Sequence, residues 1–480
     1  MKNILFAASE CVPFVKTGGL ADVVGALPKS LDKEKYDVRV VIPDYTCIPQ
    51  KYRSRFSYFG NFYMDLGDLG NFYVGIMTCE MDGIRYYYID NEHFFHGEKL
   101  YSDILWDIQK FSFYSKAVLS MLPFIGFRPD IIHCHDWQAA LIPVYLHEMF
   151  QDNPFYRGIR TIMTIHNLKF QGIWDIKTMR RFTGLPGHVF VLGRMEYKKD
   201  ANMLKGGLVY ADRITTVSES YANEIRMPYY GEGLDGLLNA KADTLSGILN
   251  GIDYDAYNPA TDPLIAKNYD AETFQEGKRA CKLAIQRELG MPEDPDVMML
   301  AMITRLTDQK GLDLVEWVME RLVASRIQLV IIGTGDPRYE NLFRHYEWTH
   351  KGQVSANILF NEERAHHLYA AADAMLMPSQ FEPCGLTQLI SLRYGTVPIV
   401  RETGGLRDTV QPYNWYEQTG TGFSFANYNA DEMLNTIFYA EQIFYDEPAA
   451  WADMVRRGMN KDFSWSASAK KYEELYDSLT

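Results

Sequence analysis

The sequence lacks the cysteine pairs, long apolar runs and excess positive charge that mark several classes of protein. Its six cysteines include no Cys-x-x-Cys pair, so we expect reduced thiols and neither a disulfide framework nor a zinc site. No apolar run is long enough to cross a bilayer. The net charge of -14 repels a phosphate backbone, which argues against nucleic acid as a partner and leaves room for an uncharged polymer.

The chain also lacks the two common nucleotide-binding fingerprints. No Gly-Lys-Ser/Thr follows a glycine loop, and the segment GTGDPRYE has Arg338 where a dinucleotide fingerprint needs its third glycine. A nicotinamide oxidoreductase is therefore the weakest interpretation of the sequence. The chain starts with MKNILF, without a pattern typical of signal or transit peptides, and we expect a cytoplasmic protein.

Short apolar runs alternate with helical stretches along the whole chain. Runs covered by helices on both faces are typical of parallel, doubly wound sheets, so we predict an α/β fold. The rhythm breaks at a turn-rich stretch and starts again with VMMLAMITRL. We predict a domain at 1–253, a second at 254–458 and a terminal helix at 459–480. Two such domains are expected to face each other across a deep cleft lined by the loops after their strands.

The stretch KTGGLADVVGALP follows the first predicted strand. Adjacent Gly18 and Gly19 free the backbone to approach a ligand, and a helix starting near Leu20 would direct its N–H groups at an anion. Lys16 adds a positive charge. A plain glycine turn with a solvated lysine is an equally good interpretation of this segment alone.

A second loop, TRLTDQKGLD, brings Arg305 and Lys310 close together after an apolar strand. A guanidinium and an ammonium on one loop can neutralise a diphosphate and stabilise charge on a departing phosphate oxygen. A surface charge pair is the alternative. The neighbouring Gly333 and Gly335 allow either a nucleotide or an adjacent loop to come close.

The segment EPCGLTQL places a carboxylate, Glu382, in a turn between a strand and a helix. There it can accept hydrogen bonds from hydroxyl groups, while the N–H groups of Leu386 and Thr387 open the helix toward phosphate. Helix capping is the alternative function of Glu382. The segment RETGGLRD repeats this arrangement after the next strand.

Histidines follow two further strands, in HCHDWQ and TIHNL. His133 and His135 share one strand face, but no distant partner set completes a zinc site. We interpret Asp136 and His166 as polar ligands for a neutral, hydroxyl-rich molecule, with a purely structural function as the alternative.

Taken together, these segments resemble the bacterial glycogen synthase and plant starch synthase family, glycosyltransferase family 5 of the GT-B class. KTGGLADVVGALP, HCHDWQAALIP, TIHNLKFQG, GEGLDGLL, TRLTDQKGLD, EPCGLTQL and TGGLRDTV occur in the family's order over nearly the whole chain. The resemblance implies transfer of glucose from ADP-glucose to the nonreducing 4-hydroxyl of an α-1,4-glucan such as glycogen. It also implies retention of the anomeric configuration, no metal and no other cofactor.

The resemblance also assigns functions to residues. It implies catalytic functions for Glu382, Arg305, Lys310 and His166. It implies substrate contacts for Lys16, Gly18, Gly19, Asp22, Tyr101, Asp136, Asn250, Gly335, Cys384, Gly385, Leu386 and Thr387. Many GT-B members carry a second glutamate eight positions after the first, where this chain has Ile390. We therefore expect front-face displacement without a covalent intermediate.

Two alternatives to this activity stay open from sequence. One is a related transferase that uses UDP-glucose or builds another glucan. The other is a catalytically silent glucan-binding protein, which the intact Lys16, Arg305, Lys310 and Glu382 argue against.

Overall fold

The computed structural model describes residues 1–479 and divides into two compact units. Unit 1 comprises Met1–Val217, Ala222–Leu249 and the chain from Trp465 onward. Unit 2 comprises Ser218–Tyr221 and Asn250–Ser464. Apart from Ser218–Tyr221, the chain changes unit after Leu249 and again after Ser464, a few residues from the boundaries that the sequence predicts.

Unit 1 is built on a large mixed sheet. The strands of this unit are β1 Lys2–Ala7, β2 Tyr36–Pro43, β3 Ser57–Asp65, β4 Asn71–Met81, β5 Ile84–Asp90, β6 Ile131–His135, β7 Arg160–Ile165, β8 Ile173–Asp175, β9 Glu196–Tyr197, β10 Asp200–Asn202, β11 Arg213–Thr216 and β12 Leu245–Gly247. The nine-stranded sheet has the order β12-β11-β7-β6-β1-β2-β5-β4-β3, and β8, β10 and β9 form a small separate sheet.

The large sheet is parallel except at one edge. There β4 pairs antiparallel with β5, and β3 pairs antiparallel with β4. The predicted parallel strands are present, but the antiparallel pair was not predicted, because β3 is a largely exposed edge strand without an apolar run. The central strands β1 and β6 end in buried side chains, since helices cover both faces of the sheet.

The helices before the second unit connect these strands. They are α1 Gly19–Ser30, α2 Gln50–Arg53, α3 Glu92–Phe95, α4 Ile104–Phe124, α5 Leu141–Tyr145, α6 Ile176–Thr183, α7 Met203–Tyr210, α8 Glu219–Glu224 and α9 Asp235–Ala240. The longest, α4, begins after Asp103, whose carboxylate accepts a hydrogen bond from the Trp106 backbone at 3.0 Å and so caps the helix. None of the helices in residues 1–479 is long and apolar enough to span a membrane.

Unit 2 is a fully parallel α/β sandwich. Its elements are α10 Phe274–Glu288, β13 Met298–Ile303, α11 Leu312–Val323, β14 Ile327–Ile332, α12 Pro337–Thr349, β15 Val354–Asn357, α13 Glu362–Ala371, β16 Ala374–Met377, α14 Thr387–Arg393, β17 Val397–Arg401, α15 Gly404–Thr409, β18 Phe423–Phe425, α16 Ala430–Asp446 and α17 Pro448–Met459. The sheet order is β15-β14-β13-β16-β17-β18. Reversal of strand order beside β13 creates the kind of switch point at which such sheets bind ligands.

The last helix, α18 Trp465–Leu479, belongs to unit 1. Its Tyr476 hydroxyl lies 2.9 Å from Nδ1 of the buried His133, and Tyr36 donates a hydrogen bond to Asp477 at 2.9 Å. These polar contacts join the C-terminal helix to β2 and β6 in the core of the sheet.

Candidate active site

The glycine loop of unit 1 lies between β1 and α1, as the sequence predicts. Gly18 precedes the first turn of the helix, and a Cβ atom at this position would meet no atom of residues 1–479 within 4 Å. The backbone there is open to a close ligand contact. Lys16 is half exposed, and its ammonium forms an ion pair of 2.7 Å with Asp22 in the first turn of α1. The two predicted substrate residues, Lys16 and Asp22, are therefore ion-paired beside the loop.

A buried carboxylate that the sequence analysis missed shapes this loop. Glu10 accepts hydrogen bonds from the backbone N–H and the hydroxyl of Thr17, the residue before Gly18. Burial raises the pKa of the Glu10 carboxyl, while the hydrogen bonds from Thr17 act in the opposite direction. The only sequence signal for Glu10 was its position directly after the first strand, in NILFAASE.

Tyr101 joins the same network from a distant part of unit 1. Its hydroxyl lies 2.8 Å from the Ser9 hydroxyl and donates to Glu10 at 3.2 Å. Burial raises the pKa of the Tyr101 phenol well above its ordinary value, so the phenol stays protonated. The structure thus brings this predicted substrate residue to the base of the glycine loop.

Asp136 and His166 follow adjacent parallel strands, β6 and β7. Asp136 has a positive φ of 56° and accepts a hydrogen bond from the His166 backbone N–H at 2.7 Å. Such a backbone conformation is uncommon for any residue other than glycine and concentrates at functional sites. Burial raises the pKa of the Asp136 carboxyl to about 7, and the His166 backbone N–H opposes that rise. The two predicted sugar ligands are therefore one hydrogen-bonded unit.

The histidines of β6 form hydrogen bonds with neighbouring side chains. His133 lies 2.6 Å from the Thr164 hydroxyl, and Nδ1 of His135 lies 2.9 Å from Nε2 of His166. Burial lowers the pKa of His133 and of His166 to about 3. Within the described residues 1–479, no group of three or more His, Cys, Asp or Glu side chains is arranged to hold a metal ion.

The predicted cation and carboxylate of unit 2 are in direct contact. Nζ of Lys310 lies 2.6 Å from Oε2 of Glu382, with side chains only 16% and 9% exposed. Ser379 donates a second hydrogen bond to the same oxygen at 2.9 Å. Arg305 is exposed on the loop that ends at Lys310. Lys310 and Glu382 are thus fixed side chains, while the Arg305 guanidinium is accessible to a ligand.

Glycines let the loops of unit 2 pack closely around this pair. At Gly311, with a φ of 76°, a Cβ atom would lie 2.1 Å from the Pro378 carbonyl oxygen. At Gly335 it would lie 2.3 Å from the Leu306 carbonyl oxygen. Of the two uses proposed for the Gly-x-Gly segment, the structure shows contact with a neighbouring loop. A substrate contact of Gly335 stays a prediction.

The turn after Glu382 packs against the glycines of RETGGLRD. The Gly405 backbone N–H donates to the Glu382 carbonyl at 3.1 Å, and a Cβ atom at Gly404 would lie 1.9 Å from the same carbonyl oxygen. Gly385 adopts a φ of 73°, and the short helix α14 starts at Thr387 after Leu386. The glycines at 404 and 405 therefore support the turn that carries Glu382.

Two predicted substrate residues lie beside this turn. Cys384 is buried, and burial raises the pKa of its thiol to about 12, so it is no nucleophile. Asn250 is buried too and contacts the Cys384 thiol through its backbone. The side-chain oxygen of Asn250 has no hydrogen-bond partner in the described part of the chain. An unpaired buried amide oxygen suits an acceptor for a ligand hydroxyl.

Comparison with known proteins places the chain in a family. The model of the starch synthase catalytic domain matches residues 3–240, and that of glycosyl transferases group 1 matches residues 284–444. The chain is 60% identical to a glycogen synthase of Lachnospira eligens, with 100% of both chains covered. A glycogen synthase of Bacillus cereus is 48% identical, with 99% of both chains covered. The chain belongs to the glycogen and starch synthase family.

Solved structures agree with this membership. The catalytic domain of Starch Synthase IV from Arabidopsis thaliana, bound to ADP and acarbose, has a TM-score of 0.91 and 32% identity, covering 100% of this chain and 99% of its own. Sucrose-phosphate synthase from Thermosynechococcus elongatus, at 17% identity and a TM-score of 0.62 over 100% and 99% of the two chains, shares the fold. The predicted GT-B fold and the glycosyltransferase class are confirmed.

In this glycosyltransferase, the predicted site residues are divided between the two units. Unit 1 contains Lys16, Gly18, Gly19, Asp22, Tyr101, Asp136 and His166; unit 2 contains Asn250, Arg305, Lys310, Gly335, Glu382, Cys384, Gly385, Leu386 and Thr387. The hydrogen-bond partners Glu10 and Ser379 were not predicted, because neither side chain lies in the segments that predicted the site. The ligand contacts of the predicted site residues remain predictions.

Proposed function

We propose that the enzyme transfers glucose from ADP-glucose to the nonreducing 4-hydroxyl of an α-1,4-glucan, with retention of configuration and release of ADP. The observation that carries the proposal is the largely buried Lys310–Glu382 ion pair, with Arg305 exposed on the loop of Lys310. The solved starch synthase structure that holds ADP and acarbose supports both the donor and the acceptor class.

In unit 2, two cations and one carboxylate bind different parts of the donor. Arg305 and Lys310 bind the diphosphate, because a guanidinium and an ammonium stabilise the charge that develops on the departing phosphate. Glu382 accepts hydrogen bonds from hydroxyls of the transferred glucose, and its ion pair with Lys310 holds it in place. The unpaired amide oxygen of Asn250 accepts another hydroxyl hydrogen.

In unit 1, the open backbone at Gly18 and the ammonium of Lys16 contribute to phosphate binding. Asp136 and His166 contact the neutral sugar. Both rings of the His135–His166 pair stay uncharged because burial lowers their pKa values. A neutral imidazole offers one donor and one acceptor, which suits sugar hydroxyl groups.

The reaction is a displacement on one face of the sugar. The bond between the anomeric carbon and the diphosphate oxygen breaks, and its electron pair leaves with ADP. The acceptor 4-hydroxyl oxygen forms the new bond on the same face, and its proton passes to the departing phosphate oxygen. No second carboxylate stands eight positions after Glu382, where Ile390 is buried in α14. The mechanism therefore assigns no covalent nucleophile.

We also propose that the reaction needs no metal ion, since Arg305 and Lys310 supply two positive charges to the diphosphate. The six cysteines are unpaired and five of them are buried, which suits a reducing compartment such as the cytoplasm.

The test is ADP release by the purified protein with glycogen and ADP-glucose. Matched reactions contain UDP-glucose, omit glycogen, or add EDTA. We expect glycogen-dependent ADP release that exceeds UDP release and persists in EDTA. A larger UDP signal would overturn the donor assignment, and loss of the rate in EDTA with recovery on Mg²⁺ addition would overturn the metal assignment. Glycogen binding without turnover of either donor would instead favour a silent glucan-binding protein.

A further inference from the structure

The side chain of His135 forms a hydrogen bond with His166, a predicted catalytic residue. It is fully buried at the end of β6, and its Nδ1 lies 2.9 Å from Nε2 of His166. Its other nitrogen, Nε2, is buried and has no hydrogen-bond partner among residues 1–479. The ring otherwise stacks on Phe6 and His133, at centroid distances of 5.5 Å and 4.4 Å.

The two rings share a single proton along their contact. Burial lowers the pKa of His135 well below its ordinary value and that of His166 to about 3, so both rings are neutral near pH 7. A neutral imidazole carries its proton on only one nitrogen. Either His135 donates from Nδ1 and His166 accepts at Nε2, or His166 donates from Nε2 and His135 accepts.

The unpaired Nε2 of His135 distinguishes these arrangements. If His166 were the donor, the proton of His135 would sit on Nε2 as a buried N–H without an acceptor, which is rare in folded proteins. If His135 donates, the buried Nε2 carries only a lone pair. The second arrangement places the proton of His166 on Nδ1, the ring nitrogen that does not take part in the contact with His135.

We propose that His135 is a positioning residue: it donates from Nδ1 to His166, and so keeps His166 in the tautomer that presents an Nδ1–H donor to a sugar oxygen. This inference rests on the proposed function, because it takes the ligand of His166 to be the sugar. A fixed tautomer and ring orientation are what a partner of a functional histidine supplies.

The neighbouring His133 provides a matched control. It lies two positions earlier on the same strand and is equally buried, but it bonds to Tyr476 and Thr164. Phenylalanine at either position keeps an aromatic ring in the stack and removes the hydrogen bonds. His135→Phe therefore loses the contact to His166, whereas His133→Phe leaves it in place.

The experiment is a double-mutant cycle in kcat for ADP release, using His135→Phe, His166→Ala and both together. We expect His135→Phe to lower kcat about tenfold and to lower the unfolding temperature no more than His133→Phe does. Once His166 is alanine, His135→Phe should have no further effect on kcat. His135→Asn, whose amide can donate from a position close to that of Nδ1, should recover most of the rate. Independent, multiplying effects, or an equal loss of kcat in His133→Phe, would overturn the proposal.

The tautomer is read directly from the ring ¹⁵N shifts of the wild-type enzyme, with His166→Ala used to assign the signals. Protonated Nδ1 and unprotonated Nε2 in His166 are expected, and the reverse pattern would overturn the proposal even if every variant folds poorly. This readout needs no turnover. A wild-type enzyme that is inactive with ADP-glucose but shows the expected tautomer would therefore refute the proposed function, and not the hydrogen-bond arrangement.

Discussion

Replacing Lys310 by methionine tests two functions of the Lys310–Glu382 pair, its contribution to stability and its contribution to turnover. The side chains are 16% and 9% exposed and meet at 2.6 Å, so Lys310→Met leaves a nearly buried carboxylate without its cation. Breaking a buried pair costs about 3–5 kcal/mol. We take about 3 kcal/mol, because Ser379 still donates to Glu382 at 2.9 Å. For a unit of this size, the unfolding temperature should fall by roughly 6–12 °C.

The same change should reduce turnover for a different reason. A cation that stabilises the departing diphosphate contributes about 10²–10³ in kcat. In the double variant Lys310→Met/Glu382→Leu, two apolar side chains replace the ion pair, and stability should return to within about 1 kcal/mol of the wild type. Turnover should remain low, since no cation has been restored. Calorimetry of unfolding and ADP release measure the two effects on the same samples.

A surface ion pair of the same unit serves as the control. Arg287 and Glu293 meet at 2.7 Å with side chains 69% and 42% exposed, so Arg287→Met should leave both the unfolding temperature and turnover nearly unchanged. The reasoning fails if Lys310→Met keeps wild-type turnover. It also fails if the double variant unfolds at the same lowered temperature as the single one.

Two further predictions concern a titrating carboxyl and a glycine. The pKa of Asp136 is raised to about 7, so between about pH 4 and pH 7 the folded protein keeps a proton that the unfolded chain has lost, and this group lowers the free energy of unfolding as pH rises. Asp136→Asn should therefore gain in unfolding temperature over the wild type as pH increases from 5 to 8, while losing turnover; a pH-independent difference would contradict this. Gly311→Ala places a Cβ 2.1 Å from the Pro378 carbonyl oxygen at a φ of 76°, whereas the Cβ of Gly290→Ala, at a φ of 66°, meets no atom of the described residues within 4 Å. Chemical denaturation should show a loss of about 1–2 kcal/mol for Gly290→Ala and a larger one for Gly311→Ala, and equal losses would show that the contact carries no cost.

Local patterns predicted most of the strands and the loops that carry the site. The apolar runs at β6, β7, β13 and β14 are short and bounded by polar or glycine residues, and strands covered on both faces need that composition. Strand β3 escaped prediction because its side chains are mostly exposed, so burial imposes no apolar run on it. For Gly335, the sequence left a nucleotide and a neighbouring loop as alternatives, because nothing local distinguishes a glycine near a ligand from one near a neighbouring loop.

The sequence by itself determined the α/β class, the residue types at each loop and, through its motifs, the family. Only the tertiary structure decided which of those side chains meet. Lys310 and Glu382 are 72 positions apart, and His135 and His166 are 31 apart. Each pair forms because the order and register of parallel strands bring the ends of neighbouring strands to one edge of a sheet. Strand order depends on how a whole unit packs its core, so no short segment of the chain encodes it.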